Sequence, residues 1–213
     1  MNLREQRELS GPAGRLEVKI DAPNGAPRAV AVVAPPNPQL GGTMLDRVVH
    51  HATLGLRRLG CVVWRFNFRG VGLSQGSFDQ GVGERDDMRA VIDGAAAATP
   101  DTPVWAVGYS FGSWIATEVG ADDPRVSTLV AIAPPVGGYD FAGLRTSAKP
   151  KFIIHGERDE LFPLKAMYDF YAQLQEPKEL AVIDAADHLF DGKVSEVGDA
   201  IEDLLADYET PTN

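Results

Sequence analysis

Val104-Trp105-Ala106-Val107-Gly108-Tyr109-Ser110-Phe111-Gly112-Ser113-Trp114-Ile115-Ala116-Thr117-Glu118-Val119-Gly120 is the stretch on which the fold turns. A short β-branched run enters a G-x-S-x-G turn, and Ser113 onward can start a helix at once. Strand, turn and helix in that order place a serine on a strained bend, and a glycine two residues to either side lets strand and helix pass closely. The same pattern occurs at Gly72-Leu73-Ser74-Gln75-Gly76, but there it follows a loop and runs into Ser77-Phe78-Asp79-Gln80-Gly81, which is more turn chemistry without apolar periodicity. Ser110 is therefore the candidate nucleophile and Ser74 a loop residue.

Working outward, β-branched runs recur at Arg15–Ile20, Ala29–Ala34, Cys61–Phe66, Thr128–Ile132, Lys151–His155 and Leu180–Ile183. Helical patterns separate them. Val48, Val49, Ala52, Leu56 and Leu59 share a helix face that stops at Gly60; Glu84 to Ala98 predicts a second helix, and Val194, Val197, Ile201, Leu204 and Leu205 a third. Alternation of this kind predicts a mostly parallel sheet covered by helices on both faces, with ligands beyond the carboxyl ends of its strands.

A serine hydroxyl needs a base to take its proton and a third group to orient that base. Of the four histidines, His50 and His51 lie within one helix as surface residues, and His155 ends a strand, where it packs or bonds locally. His188 follows the last strand in a loop and is the candidate base. The acid is expected between serine and histidine in the chain, and Gly156-Glu157-Arg158-Asp159-Glu160 follows a strand there. Asp159 is the choice; Glu157 and Glu160 read as solvated charges, and Asp187 is too close along the chain to reach the ring of His188. The oxyanion needs backbone N–H donors, one from the residue after the nucleophile, Phe111, and one from an early loop. In Ala34-Pro35-Pro36-Asn37-Pro38-Gln39 the prolines carry no N–H, so Asn37 or Gln39 must donate, and Asn37 is preferred.

These residues resemble the α/β-hydrolase fold: GYSFG as the nucleophile elbow, GERDELFP as the acid loop and DHLF as the histidine loop. The likeness runs over nearly the whole chain and is closest to small, lidless bacterial hydrolases of the dienelactone-hydrolase-like and dipeptidyl-peptidase-like groups. Those carry a proline-rich loop ending in Gly-Gly-Thr/Ser-Met and then RFNFRGVGxSxG, here PPNPQLGGTM and Arg65 to Gly76. The resemblance implies a sheet of about seven strands with a minimal cap, and a Ser110–His188–Asp159 triad with Asn37 and Phe111 as oxyanion donors. No metal or organic cofactor is required. Where relatives have histidines in the early loop, this chain has Pro35 and Asn37; where dienelactone hydrolases use a cysteine, Cys61 starts a strand far from the elbow. Only Ala133 to Pro150 is available for a cap, which favours a small acyl group in an open cleft, with Tyr109, Pro135, Val136 and Tyr139 as candidate pocket residues. The expected reaction is hydrolysis of a small carboxylic ester; peptidase, amidase or perhydrolase chemistry, or an inactive binding protein, are the alternatives.

Composition sets the outer bounds. The chain has 213 residues, 44% of them hydrophobic and 23% charged, as expected of one domain spanning 1–213 with a short N-terminal extension (1–14) and C-terminal tail (208–213). The net charge of −10 argues against nucleic acid as a partner. The N-terminus lacks the apolar core of a signal peptide, no run is long enough to insert in a membrane, and one cysteine permits no internal disulfide, so a cytoplasmic location is expected.

Overall fold

The computed structural model describes residues 4–23 and 25–208. The strands are β1 (Arg4–Gly11), β2 (Gly14–Asp21), β3 (Val30–Ala34), β4 (Val62–Phe66), β5 (Val104–Tyr109), β6 (Val126–Ile132), β7 (Lys151–Gly156) and β8 (Lys178–Ile183). The helices are α1 (Arg47–Arg58), α2 (Val82–Ala98), α3 (Phe111–Asp122), α4 (Ala142–Thr146), α5 (Leu164–Tyr171) and α6 (Val194–Leu205), with a single 3-10 turn at Pro38–Leu40. The strands form one sheet in the order β1-β2-β4-β3-β5-β6-β7-β8. From β4 to β8 every neighbouring pair is parallel, while β1 and β2 run antiparallel at one edge.

The sheet has one strand more than expected, and that strand is β1, which lies in the segment taken as an N-terminal extension. Its sequence, REQRELSG, alternates charge with few apolar residues, as suits an edge strand that must not attract a second sheet. It pairs with β2 along its full length, from Arg4 opposite Asp21 to Gly11 opposite Gly14. At the other terminus Tyr208 packs edge-on against Phe152, with ring centroids 5.2 Å apart; residues 209–213 of the expected tail lie outside the described residues.

Period-two alternation divides the apolar side chains of the central strands between two cores. Val30, Val32, Ala34, Val104 and Ala106 face α2 and α3 together with Met88, Ile92, Ile115 and Val119. Ala31, Val33, Trp105 and Val107 face α1 and α6 together with Val49, Leu56, Val197 and Ile201. Every residue of β3 and β5 is buried, so these strands carry no polar face and read as uninterrupted apolar runs. Each such Val or Ile contributes about 1.5–3 kcal/mol by leaving water. The rigidity that follows matters for the site, because β3, β5, β7 and β8 are parallel and deliver Asn37, Ser110, Asp159 and His188 from their carboxyl ends. Between β6 and β7 the chain has only the short helix α4, so nothing long enough to form a lid is inserted there.

Candidate active site

Ser110 sits between β5 and α3 with φ 51° and ψ −122°, a conformation that a residue with a Cβ adopts only when its surroundings impose it. Two close approaches impose it here. A Cβ on Gly108 would lie 2.1 Å from the Gly112 carbonyl oxygen, and one on Gly112 would lie 2.3 Å from the carbonyl oxygens of both Ala34 and Pro35. The glycines of G-x-S-x-G thus allow α3 to fold back on β5 and the early loop to rest on the elbow. The Ser110 N–H donates to Ile132 O at 2.9 Å and locks the turn to β6.

Ser110 Oγ lies 3.0 Å from His188 Nε2, and His188 Nδ1 lies 2.7 Å from Asp159 Oδ2. Asp159 is 3% exposed and His188 8%. The other carboxylate oxygen, Asp159 Oδ1, accepts from the N–H groups of Leu161 and Phe162 at 3.0 and 2.9 Å. Burial pushes the Asp159 carboxyl up, but the hydrogen bonds from His188 and from the Phe162 N–H outweigh it and hold the group below its ordinary value. An ionised carboxylate only accepts, so His188 carries its proton on Nδ1 and presents Nε2 as an acceptor to the Ser110 hydroxyl.

The surrounding residues hold this row in place. The Tyr109 hydroxyl donates to the His188 carbonyl at 3.0 Å, and Glu157 accepts from the Ala185 N–H at 2.9 Å, tying the acid loop to the histidine loop. His155 is fully buried behind Asp159, with Nε2 3.8 Å from Asp159 Oδ2, and donates from Nε2 to Phe162 O at 2.8 Å. Burial lowers its pKa, which keeps the ring neutral. The Phe162 ring lies against His188, centroids 5.2 Å apart. Local bonding was expected of His155; its position behind the acid was not, since no pattern along the chain indicates which strand end faces which loop.

The early loop leaves one donor of the two that its sequence offers. The Gln39 N–H donates to the Asn37 side-chain oxygen at 2.8 Å, and the Asn37 carbonyl accepts from Leu40 and Gly42 at 3.0 Å each. Gln39 is therefore committed within the turn, whereas the Asn37 N–H has no hydrogen-bond partner among the described residues. Of the candidate pocket residues, Tyr139 is half-buried, stacked on Trp114 at 4.4 Å and edge-on to Phe111 at 5.8 Å. Val136 is 7% exposed and Pro135 buried. Tyr109 shares the parity of Trp105 and Val107, so its ring enters the core beneath α1 and α6, with its centroid 5.9 Å from that of His188. Cys61 is fully buried, and burial pushes its thiol up to about 12, which leaves no thiolate at neutral pH.

The other G-x-S-x-G is built differently. Ser74 Oγ donates to Asn67 O at 2.7 Å and accepts from the Glu17 N–H at 2.9 Å, so both of its functions are used by backbone. Around it run buried polar side chains. Asn67 donates to Glu17 and accepts from the Met44 N–H, Arg65 pairs with Asp21, and Arg69 meets Asp87 through two side-chain bonds and its own N–H.

Comparison with known proteins agrees with the geometry. An uncharacterized protein of Rickettsia prowazekii is 37% identical over 209 residues, covering 92% of this chain and 87% of that protein. An alpha-beta serine hydrolase homologue from Coxiella burnetii is 37% identical with a TM-score of 0.90, covering 94% of this chain and 97% of the other. A lidless a/b serine hydrolase of Xanthomonas campestris is 34% identical with a TM-score of 0.91, covering 100% and 98%. The family model described as "Alpha/beta hydrolase family" matches residues 41–208. A strained serine between strand and helix, a histidine and an acid from later strand ends, and this match over most of the chain agree: the protein belongs to the alpha/beta hydrolase family and is a hydrolase.

Proposed function

We propose that this hydrolase cleaves small carboxylic esters through Ser110, His188 and Asp159, working as a single cytoplasmic domain on a small-molecule acyl substrate. The observation that carries the reading is the unbroken hydrogen-bonded row from Ser110 Oγ through His188 to Asp159, at 3.0 and 2.7 Å. Ser110 attacks the ester carbonyl while His188 Nε2 takes its proton; the imidazolium so formed is held by Asp159. The carbonyl oxygen gains charge, which the N–H groups of Phe111 and Asn37 stabilise from the first turn of α3 and from the early loop. Collapse of the intermediate breaks the ester C–O bond, and His188 returns the proton to the departing alkoxide. Water then adds to the acyl-serine, giving its proton to His188, and the free acid leaves as Ser110 is reprotonated.

The short β6–β7 connection supports a small substrate, since a bulky chain would find no cap to hold it. Hydrolysis of p-nitrophenyl acetate and butyrate by the wild-type chain, beside the matched anilides, tests the reading: the esters are expected to turn over and to fall to background in Ser110→Ala. Full activity in that variant, or turnover confined to the amides, would overturn it.

A further inference from the structure

Away from Ser110, a cleft of about 90 Å³ opens between α1 and the neighbouring strands β2 and β4, lined by Lys19, Asp21, His50, Thr53, Arg57 and Arg65 with Leu45 and Leu54. Its construction follows from two periodicities. Lys19 lies opposite Arg65 and Asp21 opposite Val63 in the antiparallel register, and Val63 belongs to the core under α1, so Lys19, Asp21 and Arg65 face that helix. On α1 the residues His50, Thr53, Leu54 and Arg57 follow i, i+3, i+4, i+7 spacing and form the stripe beside the buried Val49–Ala52–Leu56 face.

The cleft's charge runs against that of the chain. Among the described residues three cations line it against one carboxylate, and Asp21 is paired with Arg65, although the protein as a whole carries −10. Arg65 is 4% exposed; its two terminal nitrogens donate to Asp21 and to Met44 O. The Nε atoms of Arg65 and of Arg57 are both buried and have no hydrogen-bond partner among the described residues. A buried guanidinium N–H without an acceptor is costly, and the two side chains that carry these groups both line the one polar cleft, so an anion seated there would offset their charge. The volume is several times what a water molecule needs. Planar guanidinium forks match the oxygens of carboxylate and phosphate groups.

We propose that this cleft binds a small oxyanion, a phosphate or carboxylate group, through Arg57, Arg65 and Lys19, at a site separate from Ser110. Bound oxyanion stabilises the folded chain by mass action. The melting temperature of the full chain, followed against sodium phosphate and separately against sodium malonate at ionic strength held constant with chloride, should rise saturably with at least one of them. The rise at ten times the half-saturating concentration is expected to be about 3–6 °C. Arg57→Gln removes one charge-assisted partner and should raise the half-saturating concentration about tenfold or more, while ester hydrolysis stays at the wild-type rate. Lys19→Gln, at a half-buried position of β2, gives the same test should Arg57→Gln fail to fold, and equilibrium dialysis of the wild-type chain against labelled phosphate or malonate should give one site per chain. Saturation by phosphate alone or by malonate alone, weakened in the variants, supports the oxyanion site and names its source. A shift that does not saturate, one unchanged in both variants, or no binding in dialysis would show a cleft that holds water only and overturn the proposal.

Discussion

Ser110 and Ser74 occupy the same five-residue pattern, and the molecule treats them in opposite ways. Ser110 follows a fully buried strand and precedes a helix, is held at a φ of 51°, and has its hydroxyl facing a histidine ring. Ser74 lies in a loop, 6% exposed, with its hydroxyl bonded to two backbone groups across β2 and β4. The difference shows that spacing alone does not decide where a serine hydroxyl points. The strand and helix do, by turning the Ser110 hydroxyl toward His188 instead of a backbone partner, which is what the proposed reaction needs.

The widest separation between the two serines is expected in activity. Ser110→Ala should lower kcat for a short ester by about 10⁴–10⁶-fold, whereas Ser74→Ala should leave kcat within a factor of about two, since triad members act as a unit and loop serines do not. Comparable losses in both variants would remove the distinction. Asp159→Asn should cost about 10⁴-fold in kcat by changing the tautomer that His188 presents to Ser110.

Asp159 also marks the Ser110 region by pH. Its folded pKa lies below the ordinary carboxylate value, so its contribution to stability is fully present above that value and is lost as pH falls through the lowered one. Denaturant melts from pH 7 downward should therefore show the wild-type advantage over Asp159→Asn shrinking in acid; an advantage that grows in acid would contradict the assignment of an ionised Asp159.

Stability, by contrast, is where the Ser74 region should dominate. Asp87→Ala leaves the Arg69 guanidinium buried without its partner and should cost about 3–5 kcal/mol. Ser74→Ala orphans the Glu17 N–H and should cost about 1–3 kcal/mol with activity retained. Smallest of all, Tyr109→Phe removes one hydrogen bond to the histidine loop and should cost about 1 kcal/mol, with kcat reduced less than tenfold.

These contrasts also mark what is legible along the chain. The elbow, the acid loop and His188 are legible because each follows a β-branched run and uses residue types that few other chemistries need. The inward turn of Tyr109 follows from strand parity, but only once β5 is known to extend through Tyr109 in place of ending at Val107. Strand β1 is obscured because an edge strand needs no apolar run, and its alternating charges resemble those of a solvated segment. The buried Arg65, Asn67 and Arg69 are visible in the sequence as a motif, yet their partners Asp21, Glu17 and Asp87 lie on other elements, and only the antiparallel turn of β2 against β4 brings the first two into reach.

The most direct test of the contrast between the serines is labelling of the intact chain with a fluorophosphonate, followed by peptide mapping. The expected result is one label per chain on the peptide containing Ser110, none on that containing Ser74, and none in Ser110→Ala. No label on the wild-type chain, or a label that persists in Ser110→Ala, would contradict it.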